Sequence, residues 1–207
     1  APFTYTGLQQ VPCSATVTGV GGLSQAVSVT YSNNTNAGTA TATATYAATA
    51  NYLTSTDSTT FTIGKATPTL TVSNSPAVYN GAARTATVAA ALGATNVTGT
   101  VSNIKYNTSA TAPTSAGSYA VTANFTPSDT TNFNSLIDAT AGTFVINKAT
   151  PTLSIGNSAV VYNGAAQAAA VTGSTAGTVS NILYVGSPTA PTNAGTYAVT
   201  ADFASKG

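Results

Sequence analysis

The side chains that could do chemistry are few and far apart. In 207 residues there are four carboxylates (Asp57, Asp129, Asp138 and Asp202), five Lys and Arg, one Cys (Cys13) and no His. Without an imidazole there is no Ser-His-Asp or Cys-His nucleophile and no histidine metal site. Four scattered aspartates do not furnish the several oxygen ligands that each calcium loop needs. The expectation is therefore no catalytic residue, no cofactor, no metal and no enzyme. Cys13 stands alone, so no internal disulfide is possible. It is expected as a small apolar residue beside a strand.

The remaining options are covalent locks and binding faces. Lys105, between Ile104 and Tyr106, could form a Lys–Asn isopeptide cross-link with Asp138 as the assisting acid, but its counterpart in the next repeat is Leu183. A Thr–Gln ester would call on Gln10 or Gln167, which share the slot of Arg84. Asp57 and Asp138 recur in what reads as the loop before a last strand, where an Asx-type turn bond is the simplest role. Tyr5, Tyr79 and Tyr162, with Tyr106, Tyr119, Tyr184 and Tyr197, recur at equivalent places. That recurrence suggests core or corner tyrosines, with a sugar-stacking face as the alternative. Thr39, Thr41, Thr43 and Thr45 alternate with small Ala and share one face of a strand. Such a row is either a solvated sheet face or an exposed binding surface for ice or a crystalline polysaccharide.

Composition narrows the partners. Only 4% of the chain is charged, with a formal net charge of +1, while Thr (42) and Ala (39) make up well over a third of it. No basic footprint for nucleic acid is present. No apolar run reaches the roughly 18–20 residues of a membrane-spanning helix. A neutral Thr/Ser/Asn surface with few basic protease sites suits the extracellular space or a cell surface. The opening Ala1-Pro2-Phe3 shows no charged-then-apolar leader. Asn-X-Ser/Thr sequons begin at Asn33, Asn96, Asn107 and Asn124, as chance alone provides in so Asn- and Thr-rich a chain.

The elements that must position these residues emerge from self-comparison. Lys65-Ala66-Thr67-Pro68-Thr69-Leu70 returns as Lys148-Ala149-Thr150-Pro151-Thr152-Leu153. Val78-Tyr79-Asn80-Gly81-Ala82-Ala83 returns as Val161-Tyr162-Asn163-Gly164-Ala165-Ala166, and Val101-Ser102-Asn103-Ile104 as Val179-Ser180-Asn181-Ile182. Ala116-Gly117-Ser118-Tyr119-Ala120-Val121 matches Ala194-Gly195-Thr196-Tyr197-Ala198-Val199. The first stretch is a divergent copy. Three repeats follow: residues 1–64, without a first strand; residues 65–147, complete; and residues 148–207, without a last strand.

Within the second repeat the apolar residues alternate, as Leu70 and Val72 do, or Tyr119, Val121, Ala123 and Phe125. Period two with a Thr-rich opposite face predicts half-buried antiparallel strands. Asn80-Gly81 and Asn163-Gly164 predict tight turns. Short strands with turn signals in a repeat of this length predict an all-β fold of tandem immunoglobulin-like sandwiches. Lys65 to Pro68 and Lys148 to Pro151 form abrupt, proline-stiffened joints, so the modules are expected end to end as a rod.

The Lys-Ala-Thr-Pro-Thr joint, the Tyr-Asn-Gly turn and the Ala-Gly-Ser/Thr-Tyr-Ala-Val strand resemble the MBG-type (YGX variety) bacterial Ig-like repeats. The resemblance implies tandem modules in large bacterial surface or secreted, often adhesin-like, proteins, and it supplies no catalytic residues. The reading is a non-enzymatic stalk or fibre segment whose partners are its adjacent modules. One alternative is a filament subunit, a homopolymer completed by strand addition between chains. Another is a carbohydrate-binding array with a glycan or surface ligand.

Overall fold

The computed structural model describes residues 3–206; Ala1, Pro2 and Gly207, the outer bounds of the first and third repeats, lie outside the described residues. About half of the residues lie in β-strands, as the period-two patterning predicts, and among the described residues the one helical element is a short 3₁₀ turn at Val20–Gly22.

The first repeat contains β1 (Phe3–Thr4), β2 (Ala15–Gly19), β3 (Leu23–Val27), β4 (Val29–Ser32), β5 (Gly38–Tyr46) and β6 (Ser55–Gly64). One sheet has the order β1-β6-β5-β4, and β2 and β3 form a separate hairpin. β1 runs parallel to β6, whereas β4, β5 and β6 are antiparallel.

In the second repeat β7 (Thr69–Val72), β9 (Val88–Leu92) and β10 (Thr95–Asn96) form a three-stranded sheet in the order β10-β9-β7. β8 (Ala77–Val78), β11 (Gly99–Tyr106), β12 (Gly117–Pro127) and β13 (Leu136–Asn147) form a four-stranded one, ordered β11-β12-β13-β8. Alternate residues of both sheets supply one core that includes Leu70, Ala90, Tyr106, Val121, Phe125, Phe144 and Ile146. Burying these side chains contributes about 1.5–3 kcal/mol for each large one.

The third repeat contains β14 (Leu153–Ile155), paired with β15 (Val171–Gly173), and β16 (Gly177–Tyr184), paired with β17 (Val199–Ser205). Its registers repeat those of β11 and β12. Gly99 lies opposite Pro127 and Gly177 opposite Ser205, and both pairings slip by a bulge after Ser102 and Ser180. The bulge explains the recurring Val-Ser-Asn-Ile: Asn103 and Asn181 both sit at φ 51°, a left-handed conformation that Asn tolerates better than most residues. Gly99 is required for a different reason. A Cβ there would collide with Thr126 O and lie 2.6 Å from the Phe125 ring.

The Asn-Gly signals are turns, but not hairpin turns. Gly81 and Gly164 have positive φ (79° and 77°), while Asn80 and Asn163 accept Asx bonds from Ala82 N and Ala165 N at 3.1 and 3.0 Å. β8 just before Asn80 pairs in parallel with β13, so no hairpin is being closed. The two-residue turns with both φ positive lie instead at Asn107-Thr108 (46° and 77°) and Val185-Gly186 (49° and 85°). Antiparallel bridges Tyr106–Ser109 and Tyr184–Ser187 close them.

The described backbone divides into two compact units, one ending at Lys148 and one beginning at Ala149.

The joint between the first and second repeats as candidate functional site

β6 ends at Gly64 and β7 begins at Thr69, so only residues 65–68 connect the two repeats. A chain this short leaves its peptide groups in need of partners. The second repeat provides them from the segment between β12 and β13. Ala66, fully buried, donates its N–H to Asn132 O and accepts from Asn134 N, both at 2.9 Å, and forms a parallel bridge with Phe133. Lys65 Nζ donates to Thr130 O at 2.7 Å, and Asn134 Nδ2 donates to Thr67 Oγ1 at 2.9 Å. Pro68 is buried. The connecting segment is thus a zipped strand.

Asn132 binds the first repeat as well. It is 6% exposed, and its Oδ1 accepts from Ala37 N at 2.8 Å. Its Nδ2 donates to Asp129 Oδ2 at 2.7 Å and to Asn36 Oδ1 at 3.3 Å. One buried amide therefore spans both repeats with its donors and acceptor satisfied, which is the condition for burying a polar group without penalty. Asp129 holds the amide in place, its Oδ1 accepting from Thr131 N and Asn132 N at 3.1 Å each. The Asn132 side-chain bond, the largest influence, outweighs desolvation and, with these backbone amides and the Lys65 charge, holds the Asp129 carboxyl below the ordinary carboxylate range. Tyr5 of the first repeat completes the contact, edge to face on Phe133 at 5.3 Å and 83°.

Two of the four joint residues foreseen from sequence, Lys65 and Pro68, lie in this site. Lys148 is exposed at the end of the first unit, and Pro151 is half-buried at the start of the second. The partners Asn36, Asp129 and Asn132 are absent from the sequence-derived set, because they lie 29 to 67 residues from Lys65 and the chain alone does not show that they meet.

The other sequence-derived sites are placed elsewhere. Thr39, Thr41, Thr43 and Thr45 share the outer face of β5, since Ala40 and Ala42 between them are buried. The row extends across three strands: Ser32–Thr41–Thr60 and Thr30–Thr43–Ser58 lie in register, flanked by Thr39–Thr62 and Thr45–Thr56. Lys105 and Asp138 form an ion pair at 2.7 Å with side chains 28% and 50% exposed. This solvated pair lacks the burial that an isopeptide lock requires. Asp57 and Asp138 lie within β6 and β13, not in the loop before them. Gln10 and Gln167 bond back to Thr6 and Asn163 of their own turns.

The recurring tyrosines divide by position. Tyr106 and Tyr184 are buried, their hydroxyls accepting from Ala86 N and Ala169 N at 2.7 and 2.8 Å. Tyr119 and Tyr197 donate to carbonyls four residues upstream, on Ser115 and Asn193. Tyr79 and Tyr162 are exposed. Among the described residues no group of His, Cys, Asp and Glu could hold a metal, and no helix is long and apolar enough to cross a membrane.

Compared with known families, residues 68–150 and 151–206 each match the profile described as the MBG domain. No curated protein and no solved structure matches the chain.

Proposed function

Since the chain belongs to the MBG domain family, of which it carries two adjacent copies, we propose that it is a non-enzymatic structural segment of a bacterial surface or secreted adhesin-like protein. In this reading the repeats are immunoglobulin-like modules of an extracellular stalk that holds something away from a cell. The observation that carries it is the joint: Asn132, held by Asp129, bonds to Ala37 of the preceding repeat, and Lys65 pins the connecting segment to Thr130. A stalk needs such joints, because freely hinged modules lose reach to conformational entropy. The Tyr119 and Tyr197 hydroxyls bonding back upstream agree with sandwich corners. With so little charge to screen, the length of the stalk is insensitive to salt.

Small-angle scattering on the whole chain tests this. The stalk reading expects a maximum dimension that stays constant from low to high salt, and a broader distance distribution for Asn132→Ala. A wild-type chain whose dimensions shrink with salt or match those of Asn132→Ala sinks the reading.

A second reading, a carbohydrate-binding array, draws on Tyr79 and Tyr162, which occupy equivalent positions and are 43% and 63% exposed. Binding to a glycan panel that disappears in Tyr162→Ser would favour it; a blank panel would remove it.

A further inference from the structure

One turn recurs in all three repeats and is held each time by different chemistry. In the second repeat, Asn80 Oδ1 accepts from Ala82 N at 3.1 Å. In the third, Asn163 Oδ1 accepts from Ala165 N at 3.0 Å and also from Gln167 Nε2, where the second repeat has Arg84. In the first, Thr6 takes the place of the asparagine, its Oγ1 accepting from Leu8 N at 3.3 Å and from Gln10 Nε2 at 2.9 Å. The turn therefore forms without an amide, which leaves the amides of Asn80 and Asn163 open to a second use.

Their surroundings set these two apart from other asparagines of the chain. Asn74 and Asn157 use both ends of the amide, donating to Thr85 O and Ala168 O and accepting from Thr87 N and Ala170 N. Asn132 is buried, with its donors and acceptor satisfied. Among the described residues, Nδ2 of Asn80 and Asn163 and the backbone N–H of Gly81 and Gly164 donate to no protein group. Both asparagines are exposed and each precedes a glycine; a Cβ built on Gly81 would meet nothing within 4 Å, so nothing shields its nitrogen. The second repeat has both of its sheets, so the exposure of Asn80 belongs to the turn itself.

We propose that Asn80 and Asn163 are sites of self-modification, at which the side-chain amide becomes a carboxylate through a cyclic imide. The Gly81 nitrogen gives up its proton and attacks Asn80 Cγ. Nδ2 takes up that proton and leaves as ammonia, and water then opens the five-membered imide at either carbonyl, giving aspartate or isoaspartate. Gly164 and Asn163 react in the same way. Both reacting groups belong to one turn, so the attack is intramolecular. Negative charge gathers on Oδ1 as the new bond forms, and donors already aimed at that oxygen hold it more tightly than they hold the amide. Asn80 has one such donor and Asn163 has two. The carboxylates formed are ionised at neutral pH, and two of them take the formal net charge of the chain from +1 to −1. An almost uncharged surface thus acquires charge with age, at a rate set by the turn.

The test is peptide mass mapping of the whole chain after incubation at neutral pH, native and in denaturant, with ammonia release followed alongside. Both sites lie in the same Val-Tyr-Asn-Gly-Ala-Ala sequence, so in denaturant they are expected to react at equal rates. In the native chain Asn163 is expected to react several-fold faster than Asn80, and Gln167→Ala to bring it down to the Asn80 rate. Asn74, Asn132 and Asn157 of the native chain are expected to remain amides over the same time. Asn80→Thr combined with Asn163→Thr copies the turn of the first repeat and is expected to keep the unfolding midpoint while releasing no ammonia. Native turns that stay amide while the denatured chain reacts overturn the proposal. So does a native Asn163 that reacts no faster than Asn80, or ammonia that the double threonine variant still releases at the wild-type rate.

Discussion

The second and third repeats share strands that are almost the same in sequence and differ in how deeply those strands are buried. Val121 and Phe125 are sealed in the second repeat, whereas their counterparts Val199 and Phe203 are half-buried in the third. Leu70 and Leu153 diverge in the same sense. The local structure is nevertheless equal: β16 and β17 reproduce the register and bulge of β11 and β12. Hairpin pairing in this protein is therefore a local property of the sequence, while the core is made by one further strand. β13 supplies Phe144 and Ile146, both buried, and Phe144 meets Tyr106 ring to ring at 6.1 Å. No counterpart of β13 covers Tyr184 among the described residues.

The comparison can be broken most severely at that strand. Phe144→Ala removes the largest contribution of β13 and is expected to cost about 3–5 kcal/mol, bringing the second repeat towards the third. Denaturant unfolding would show it as loss of the more stable transition; an unchanged midpoint would mean that β13 is not what seals the core. Next in size, Asn132→Ala leaves Ala37 N and the Asp129 carboxylate without their shared partner and is expected to cost about 2 kcal/mol. Amide exchange should then rise around Ala37 and Ala66 while the β12 core stays protected.

A smaller effect sharpens the comparison. The tight turn after β11 has Asn107 where the third repeat has Val185, at almost the same positive φ. Asn107 Oδ1 accepts from Ala120 N at 2.8 Å, and a β-branched Val in that conformation is strained. Val185→Asn is therefore expected to stabilise the third repeat by about 1 kcal/mol, and Asn107→Val to weaken the second by a similar amount. Paired thermal melts would check both signs.

The smallest expected effect is on pH dependence. The Asp129 carboxyl has a folded-state pKa below its unfolded value, so its contribution is complete above the ordinary carboxylate pKa, near 3.8, and is lost as pH falls through the lowered folded value. Acid titration of the wild type against Asp129→Asn should show curves that differ at neutral pH and converge in acid. Curves that run parallel down to the lowest pH would remove Asp129 from the joint.

Much of this architecture is legible in the sequence because it is local or repeated. Period two reveals the strands, and the return of Lys-Ala-Thr-Pro-Thr places the joint. Other features escape for identifiable reasons. Asn-Gly marks a tight turn at residues 80–81, but that it takes the form of an Asx turn beside the parallel pairing of β8 with β13 depends on tertiary contacts. The closing turns use Asn-Thr and Val-Gly, neither of which carries the full signal. Asn103 looks like one polar residue among many until the bulge at positive φ gives it a reason. The Asn132 clamp joins residues as far apart as Asn36 and Asn132, which no single-sequence pattern connects.

The direction of the pairing at the edge of each four-stranded sheet has a mechanical consequence. β1 runs parallel to β6, and β8 parallel to β13, each continued by a bond from a tyrosine amide: Tyr5 N to Gly64 O at 2.8 Å and Tyr79 N to Asn147 O at 2.9 Å. Where tension reaches both strands of such a pair, it draws them in opposite senses along their shared axis. Their hydrogen bonds are then sheared together instead of being peeled one after another. A repeat loaded in this way yields abruptly at a threshold force, and below that threshold it transmits the pull with little change in length.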